Sequence, residues 1–129
     1  MSTADEIRSL LDARIDALRQ RDATSANALL DRQLVAFELA GPLQIPSEQA
    51  TDNSLTQAWL DSFSEGPNVT IEQLSIHADG AVAFCHSLNR IQGRRSDGQD
   101  IDVTMRSTLG MRRVDGEWKI VHGHTSLPR

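Results

Sequence analysis

Tyrosine is absent from this chain, so a mechanism that needs a phenolic hydroxyl as hydrogen-bond donor or acid is closed to it. Cys85 is the single cysteine, which excludes an internal disulfide framework. Lysine also occurs once, at Lys119, and a Schiff-base enzyme would have to rest on that amine, within what reads as an amphipathic strand. Positive charge is in deficit: 13 Lys and Arg stand against 18 Asp and Glu, a net charge of −5, with a pI of about 5.2. That balance argues against nucleic acid and against an anionic membrane as partners, because both are bound by displacing counterions with a positive surface. No apolar run approaches the roughly 20 residues that span a bilayer. The opening Met1-Ser2-Thr3-Ala4-Asp5-Glu6 has neither the basic residues nor the apolar stretch of a secretory signal. These absences lead to the expectation of a cytoplasmic protein.

What is present suits one globular domain over residues 1–129, with 39% apolar and 24% charged residues. Thr3 and Glu6 have the spacing of a capping box. Ile7, Leu10, Leu11, Ile15 and Leu18 then recur at helical spacing, with Arg8, Asp12, Arg14 and Arg19 assigned to the polar side. That helix ends near Gln20-Arg21, and Asp22 can cap a shorter one from Ala23 to Leu30. Gln33 to Leu39 alternates as a strand, with Val35, Phe37 and Leu39 on one face, and Gly41-Pro42 breaks it. Leu55, Ala58, Trp59, Ser62 and Phe63 fit a third helix, entered at Thr51-Asp52-Asn53-Ser54 and stopped by Gly66-Pro67. From Val69 the period becomes two. Val69–Ile76, Val82–Gly93, Ile101–Arg113 and Trp118–Ser126 read as four strands. Asp79-Gly80, Asp97-Gly98 and Asp115-Gly116 mark the turns between them. Helices followed by an antiparallel meander give an α+β fold, in which a twisted sheet partly covered by helices leaves a concave mouth for a small ligand.

If Asp97-Gly98 and Asp115-Gly116 are two-residue loops, Ser96 pairs with Gln99 and Val114 with Glu117. Val82, Phe84, His86 and Leu88 then share a face with Val103, Met105, Leu109, Met111, Trp118, Ile120, His122 and His124. That face is apolar apart from three imidazoles, while Ser87, Asn89, Thr104, Arg106, Thr108, Arg112 and Lys119 fill the other. Coherent alternation favours this register, since a slip of one residue reverses every side chain. The alternative is a three-residue turn with a glycine bulge, which brings Arg106 and Thr108 onto the histidine face and turns Met105 and Leu109 away.

Three histidines lining one cavity suit proton transfer near neutral pH. His122 and His124 stand two residues apart on one strand and could share a metal ion, with His86 as a third ligand. The favoured register holds His86 two strand spacings, about 9–10 Å, from His122, so hydrogen bonding to a ligand or to water is the better reading and no metal is assigned. Glu38, opposite in phase to Phe37, becomes a usable base if its carboxylate turns into the cavity. Trp59 and Phe84 are candidates to shape that cavity, and Arg106 joins them under the alternative register. Cys85 alternates away from His86, which leaves a Cys–His nucleophile unsupported, and Arg94-Arg95 reads as a solvated turn. No phosphate loop, dinucleotide motif or zinc-finger spacing occurs.

Several segments resemble small SnoaL-like, ketosteroid-isomerase-related proteins of the nuclear transport factor 2-like (NTF2-like) superfamily. They are Phe37-Glu38-Leu39-Ala40-Gly41-Pro42-Leu43, Ala83-Phe84-Cys85-His86-Ser87-Leu88-Asn89-Arg90, Arg106-Ser107-Thr108 and the run from Val114 to Ser126. Within that last run, Gly116-Glu117-Trp118 followed by His122-Gly123-His124 also resembles the association domain of calcium/calmodulin-dependent protein kinase II. The resemblance implies a cone-shaped α+β fold, N-terminal helices packed on a strongly curved antiparallel sheet, and a homodimer. Relatives often carry aspartate where Glu38 stands, so the carboxylate is kept. Ketosteroid isomerase itself uses a tyrosine among its oxyanion donors, and the absence of tyrosine argues against that reaction here. The expectation is a small-molecule pocket protein, with His86, His122, His124 and Glu38 as its acid–base groups and Trp59, Phe84 and Arg106 as ligand contacts. Its chemistry would be cofactor-independent, of isomerase, cyclase or lyase type, on a compact, largely apolar, oxygenated substrate. The alternative is a non-catalytic dimeric association module that uses the outer sheet face around Arg106, Thr108 and Arg112.

Overall fold

A computed structural model describes residues 1–128. Helix α1 (Thr3–Arg19) is capped one residue earlier than the Thr3/Glu6 spacing suggests. The Ser2 hydroxyl accepts from the Asp5 amide at 3.1 Å, and the Asp5 carboxylate accepts from the Ser2 amide at 3.4 Å. Glu6 is left free for another partner, and Arg113 at 3.4 Å takes it. Ile7, Leu11, Ile15 and Leu18 are buried. Arg14 follows Ile7 by seven residues, about 20° short of two full turns at 3.6 residues per turn. It therefore sits in the middle of the apolar stripe, and its assignment to the polar side is corrected.

Helix α2 (Ala23–Asn27) is capped by Asp22, which accepts from the Ser25 amide. It ends before Leu30 because the chain there enters strand β1 (Leu30–Phe37), and the Ile120 amide donates to the Leu29 carbonyl at 2.9 Å. A short helix α3 (Ser47–Ala50), not read from the sequence, precedes α4 (Asn53–Asp61), whose cap is Asp52. The buried Asn27 amide donates to Asn53 and Thr56, tying α2 to α4. Gly66-Pro67 does not stop α4. It falls inside strand β2 (Phe63–Asp79), where the Arg21 guanidinium donates to the carbonyls of Gly66 and Phe63 at 2.8 and 2.7 Å. Strands β3 (Val82–Arg95), β4 (Asp100–Val114) and β5 (Glu117–Ser126) follow. The curved sheet has the order β1-β5-β4-β3-β2, antiparallel except where β1 runs parallel to β5. No helix among the described residues is long and apolar enough to cross a membrane.

The two Asp-Gly turns differ. At Asp115-Gly116 both residues have positive φ, 51° and 82°, and Val114 pairs with Glu117 across the expected two-residue loop. At Asp97-Gly98 the loop has three residues, Ser96-Asp97-Gly98, with Gly98 at φ 91° and the Arg95 amide donating to the Gln99 carbonyl at 2.8 Å. The bulged register is thus the observed one for β3 and β4: His86 pairs with Thr108 and Leu88 with Arg106. A second irregularity lies in β5. Gly110 pairs with His122 and Met111 with Ile120, so Val121 is an extra residue with no partner on β4. Trp118 and Ile120 accordingly face the helices, joining Ile7, Leu11, Leu34, Cys85 and Met111 in one core cluster. Ile15, Leu18, Leu60 and Val69 form a second cluster at the other end of α1.

Gly93 is fixed by contact. A Cβ there would lie 2.7 Å from the Glu65 carbonyl oxygen and 2.9 Å from the Phe63 ring, whereas one on Gly110 would meet only the His122 Cβ at 3.4 Å. Gly93→Ala is expected to lower the unfolding free energy by about 1–3 kcal/mol. Gly110→Ala should stay within about 0.5 kcal/mol of the parent. Urea denaturation of both variants checks the contrast.

Candidate functional site

The register displaces the expected histidine-lined cavity. Phe84, His86, Arg106, Thr108 and His124 all lie on the sheet face turned away from the helices, and all five are exposed. The physical reason is the pair of irregularities. The three-residue turn shifts β4 by one residue against β3, and Val121 reverses the alternation of β5 before the histidines are reached. His86 stacks on His77, with ring centroids 5.8 Å apart, and His77 stacks on Phe84 at 4.7 Å. His122 is half-buried beside β1, where its Nδ1 donates to the Val35 carbonyl at 2.7 Å. A carbonyl can only accept, so this bond places a proton on Nδ1. Phe37 meets both His122 and His124 edge-on, at 5.0 and 5.4 Å. The fold therefore gathers His122, His124 and Phe37 at the β1 edge and leaves His86 apart, two strands away. Trp59 packs edge-on against Phe63 at 5.3 Å and onto the second core cluster.

The helix-facing side carries a different set of polar groups. Ser87, Ser107 and Thr125 pair in one row across β3, β4 and β5, with Asn89 beside it on the same side. Ser107 is buried, and Ser87 donates to the Asn89 side-chain oxygen at 2.8 Å. Glu38, just beyond β1, follows the phase of buried Leu34 and Ala36 and so turns to this side. It remains exposed at the rim, accepting a 2.9 Å bond from the Thr125 hydroxyl.

Arg14 comes to the same side from α1. Its Nε is buried and bonded to nothing. Burial pulls the guanidinium below its ordinary pKa, and the negative charge of Glu38 offsets part of that effect. Of the groups on this side of the sheet, sequence reasoning missed Arg14 and the Ser87–Ser107–Thr125 row. The signal for Arg14 was its seven-residue spacing from Ile7. The row carried no such signal, because its side of the sheet depends on the turn length at Gly98. Cys85 lies in the core, where burial pushes its thiol up to about 11.

The chain belongs to the SnoaL-like domain family, whose model matches residues 7–129. It is similar to an NTF2-like protein of unknown function from Pseudomonas putida KT2440. That crystal structure is 32% identical, the match covers 99% of this chain and 89% of that one, and the TM-score is 0.83. A Shewanella frigidimarina structure named as a proposed ketosteroid isomerase is 24% identical over 92% of each chain, with a TM-score of 0.70. The association domain of Caenorhabditis elegans calcium/calmodulin-dependent protein kinase II is 18% identical over 96% of this chain and 95% of its own, with a TM-score of 0.73. The last two likenesses are of fold. No curated protein matches the chain. The expected NTF2-like α+β architecture is therefore the observed one, in a family of small-molecule-binding or isomerase-type proteins, and the fold does not by itself name a ligand.

A thiol with a pKa near 11 and no exposure is a poor nucleophile at neutral pH. Cys85 should resist iodoacetamide at pH 8 in the folded chain and react fully once the chain is unfolded in guanidinium. Intact-mass measurement of the adduct reads both states.

Proposed function

We propose that this chain binds a compact, oxygen-bearing, largely apolar small molecule on the helix-facing side of its sheet, with Arg14 holding the ligand's oxygen and Glu38 moving a proton. The reaction is cofactor-independent, of isomerase, cyclase or lyase type. The observation that carries the reading is Arg14. An arginine in an apolar stripe costs the fold several kcal/mol of desolvation, and its unbonded Nε adds to that cost. A leucine or methionine would pack there without either cost, so a guanidinium at this position is explained by use. A preorganised donor in a water-poor site stabilises negative charge that develops on a bound oxygen. Glu38, steadied by the Thr125 hydroxyl, has the carboxylate a general base needs. The proton-moving role expected of His86, His122 and His124 passes to Glu38, because the imidazoles belong to the opposite face.

The outer face supports a partner reading of its own, a second copy of the same chain. Val82 and Phe84 are 55% and 50% exposed there, on an uncovered sheet surface, and apolar groups gathered in this way mark association sites. Phe84→Glu is expected to convert a dimer to a monomer in size-exclusion chromatography with light scattering. A wild-type chain that runs as a monomer at tens of micromolar sinks this reading.

The test of the binding and catalytic reading uses two variants. Arg14→Met should raise the unfolding free energy by about 1–4 kcal/mol and remove binding of small ketones, esters and acids in a thermal-shift panel. Glu38→Gln should slow deuterium incorporation from heavy water at the carbon next to a bound carbonyl by about 100-fold or more. An Arg14→Met chain that is destabilised and binds as the parent does would show Arg14 to be structural.

A further inference from the structure

The outward side chains of β2, β3, β4 and β5 form rows that run across the strands. One row reads His77, Phe84, Gly110 and His122 from β2 to β5. Phe84 is exposed on β3. Gly110 beside it has no side chain, and a Cβ there would meet nothing within 4 Å except the His122 Cβ at 3.4 Å. A projecting ring and an open gap are therefore neighbours, one strand spacing of about 4.8 Å apart. The rows on either side distribute charge in a matching way. Glu72, Leu88 and Arg106 share one row, and Asp79, Val82 and Arg112 share another. In both, the acid is on β2 and the arginine on β4, with an apolar side chain between them. All four charged residues are exposed, and none of them forms an ion pair among the described residues.

Stacked sheets keep their strands roughly aligned, about 10 Å apart, and two copies of one chain meet most often about a two-fold axis. On this face the axis runs either across the strands or along them. An axis across the strands, centred on the patch, lays β4 over the reversed β4 of the other copy and sets Arg106 against the partner's Arg112. An axis along the strands, between β3 and β4, lays each row over the same row of the other copy in reverse order. The partner's Phe84 then falls on Gly110, and the partner's Glu72 and the partner's Asp79 come beside Arg106 and Arg112. Ring meets gap and acid meets arginine, each of them twice.

We propose that two copies of this chain join about a two-fold axis running along the strands between β3 and β4, with the Phe84 ring of each seated over Gly110 of the other. The inference deepens the second-copy reading above and rests on it. Gly110 is the socket of the interface. The acids of β2 and the arginines of β4 select the axis, because opposite charges fix register across an interface and like charges oppose it.

Sedimentation equilibrium reads the test as a dimer dissociation constant. Gly110→Phe suits an exposed strand position and fills the gap, so that two rings collide at both symmetric contacts. It is expected to raise the constant by about 100-fold or more. Phe84→Ala/Gly110→Phe moves the ring to β4 and the gap to β3, and should return the constant to within about 10-fold of the parent's. Glu72→Arg should weaken the dimer about 10-fold, and Glu72→Arg/Arg106→Glu should restore it. The charge exchange alters exposed side chains only, so it decides the matter even if the ring exchange folds poorly. A wild-type chain that is monomeric at tens of micromolar overturns this pairing and the second-copy reading together. A dimer that Phe84→Glu dissociates and Gly110→Phe leaves as tight as the parent overturns the pairing alone. So does the failure of both exchanges to recover the affinity lost in their single variants.

Discussion

Between Ile120 and His122, strand β5 carries one residue more than the strand opposite it, and every side chain beyond that point changes sides. Trp118 and Ile120 close the core under α1. His122 and His124, which an unbroken alternation would put beside them, stand on the far surface instead. The same extra residue brings Thr125 to the helix-facing side, where it can hold Glu38. A bulge is a local event in one strand, yet with a side-chain period of two its consequence reaches the end of the strand. The chemistry available under the helices is therefore set by carboxylate, hydroxyl and guanidinium groups.

Arg14 is the point where the proposed use works against stability. Helix α1 buries Ile7, Leu11, Ile15 and Leu18 to hold the sheet, and a charged group in the middle of that stripe weakens the seam that α1 exists to make. Its neighbours do not neutralise it at close range, and Glu38 offsets only part of the effect of burial. By contrast, the exposed pairs Arg90–Asp102 and Arg94–Asp100, at 2.8 and 2.9 Å, lie in solvent, where such pairs contribute little. The two classes of arginine look alike in composition and differ in what surrounds them.

Much of the architecture was legible in the residues. The apolar spacing of α1, the Asp22 cap, a helix entered within Thr51–Ser54, the period of two beyond Val69 and the Asp115-Gly116 turn are all local signals, and the structure has each of them. Boundaries were less legible. Leu30 reads as the end of a helix until the Leu29 carbonyl is seen accepting from Ile120, and Gly66-Pro67 reads as a stop until Arg21 is found gripping its backbone from 45 residues away. Of the candidate site, the phase of Glu38 was legible and the sidedness of the imidazoles was not. The turn at Gly98 admits two loop lengths with the same residues, and nothing near Val121 announces a bulge.

What the sequence determined by itself is the inventory and the class. It specified a chain without tyrosine, with one thiol and an acidic balance, whose helix-then-meander order fits an α+β domain of the SnoaL-like kind. Periodicity and capping act over a few residues, so they survive in a one-dimensional reading. Tertiary structure alone decided which polar groups meet. Register is a relation between strands far apart in the chain, and it is settled by the burial of a whole face at once. Only the closed packing of α1 on the sheet buried the Arg14 Nε and left the outer-face histidines on the far side.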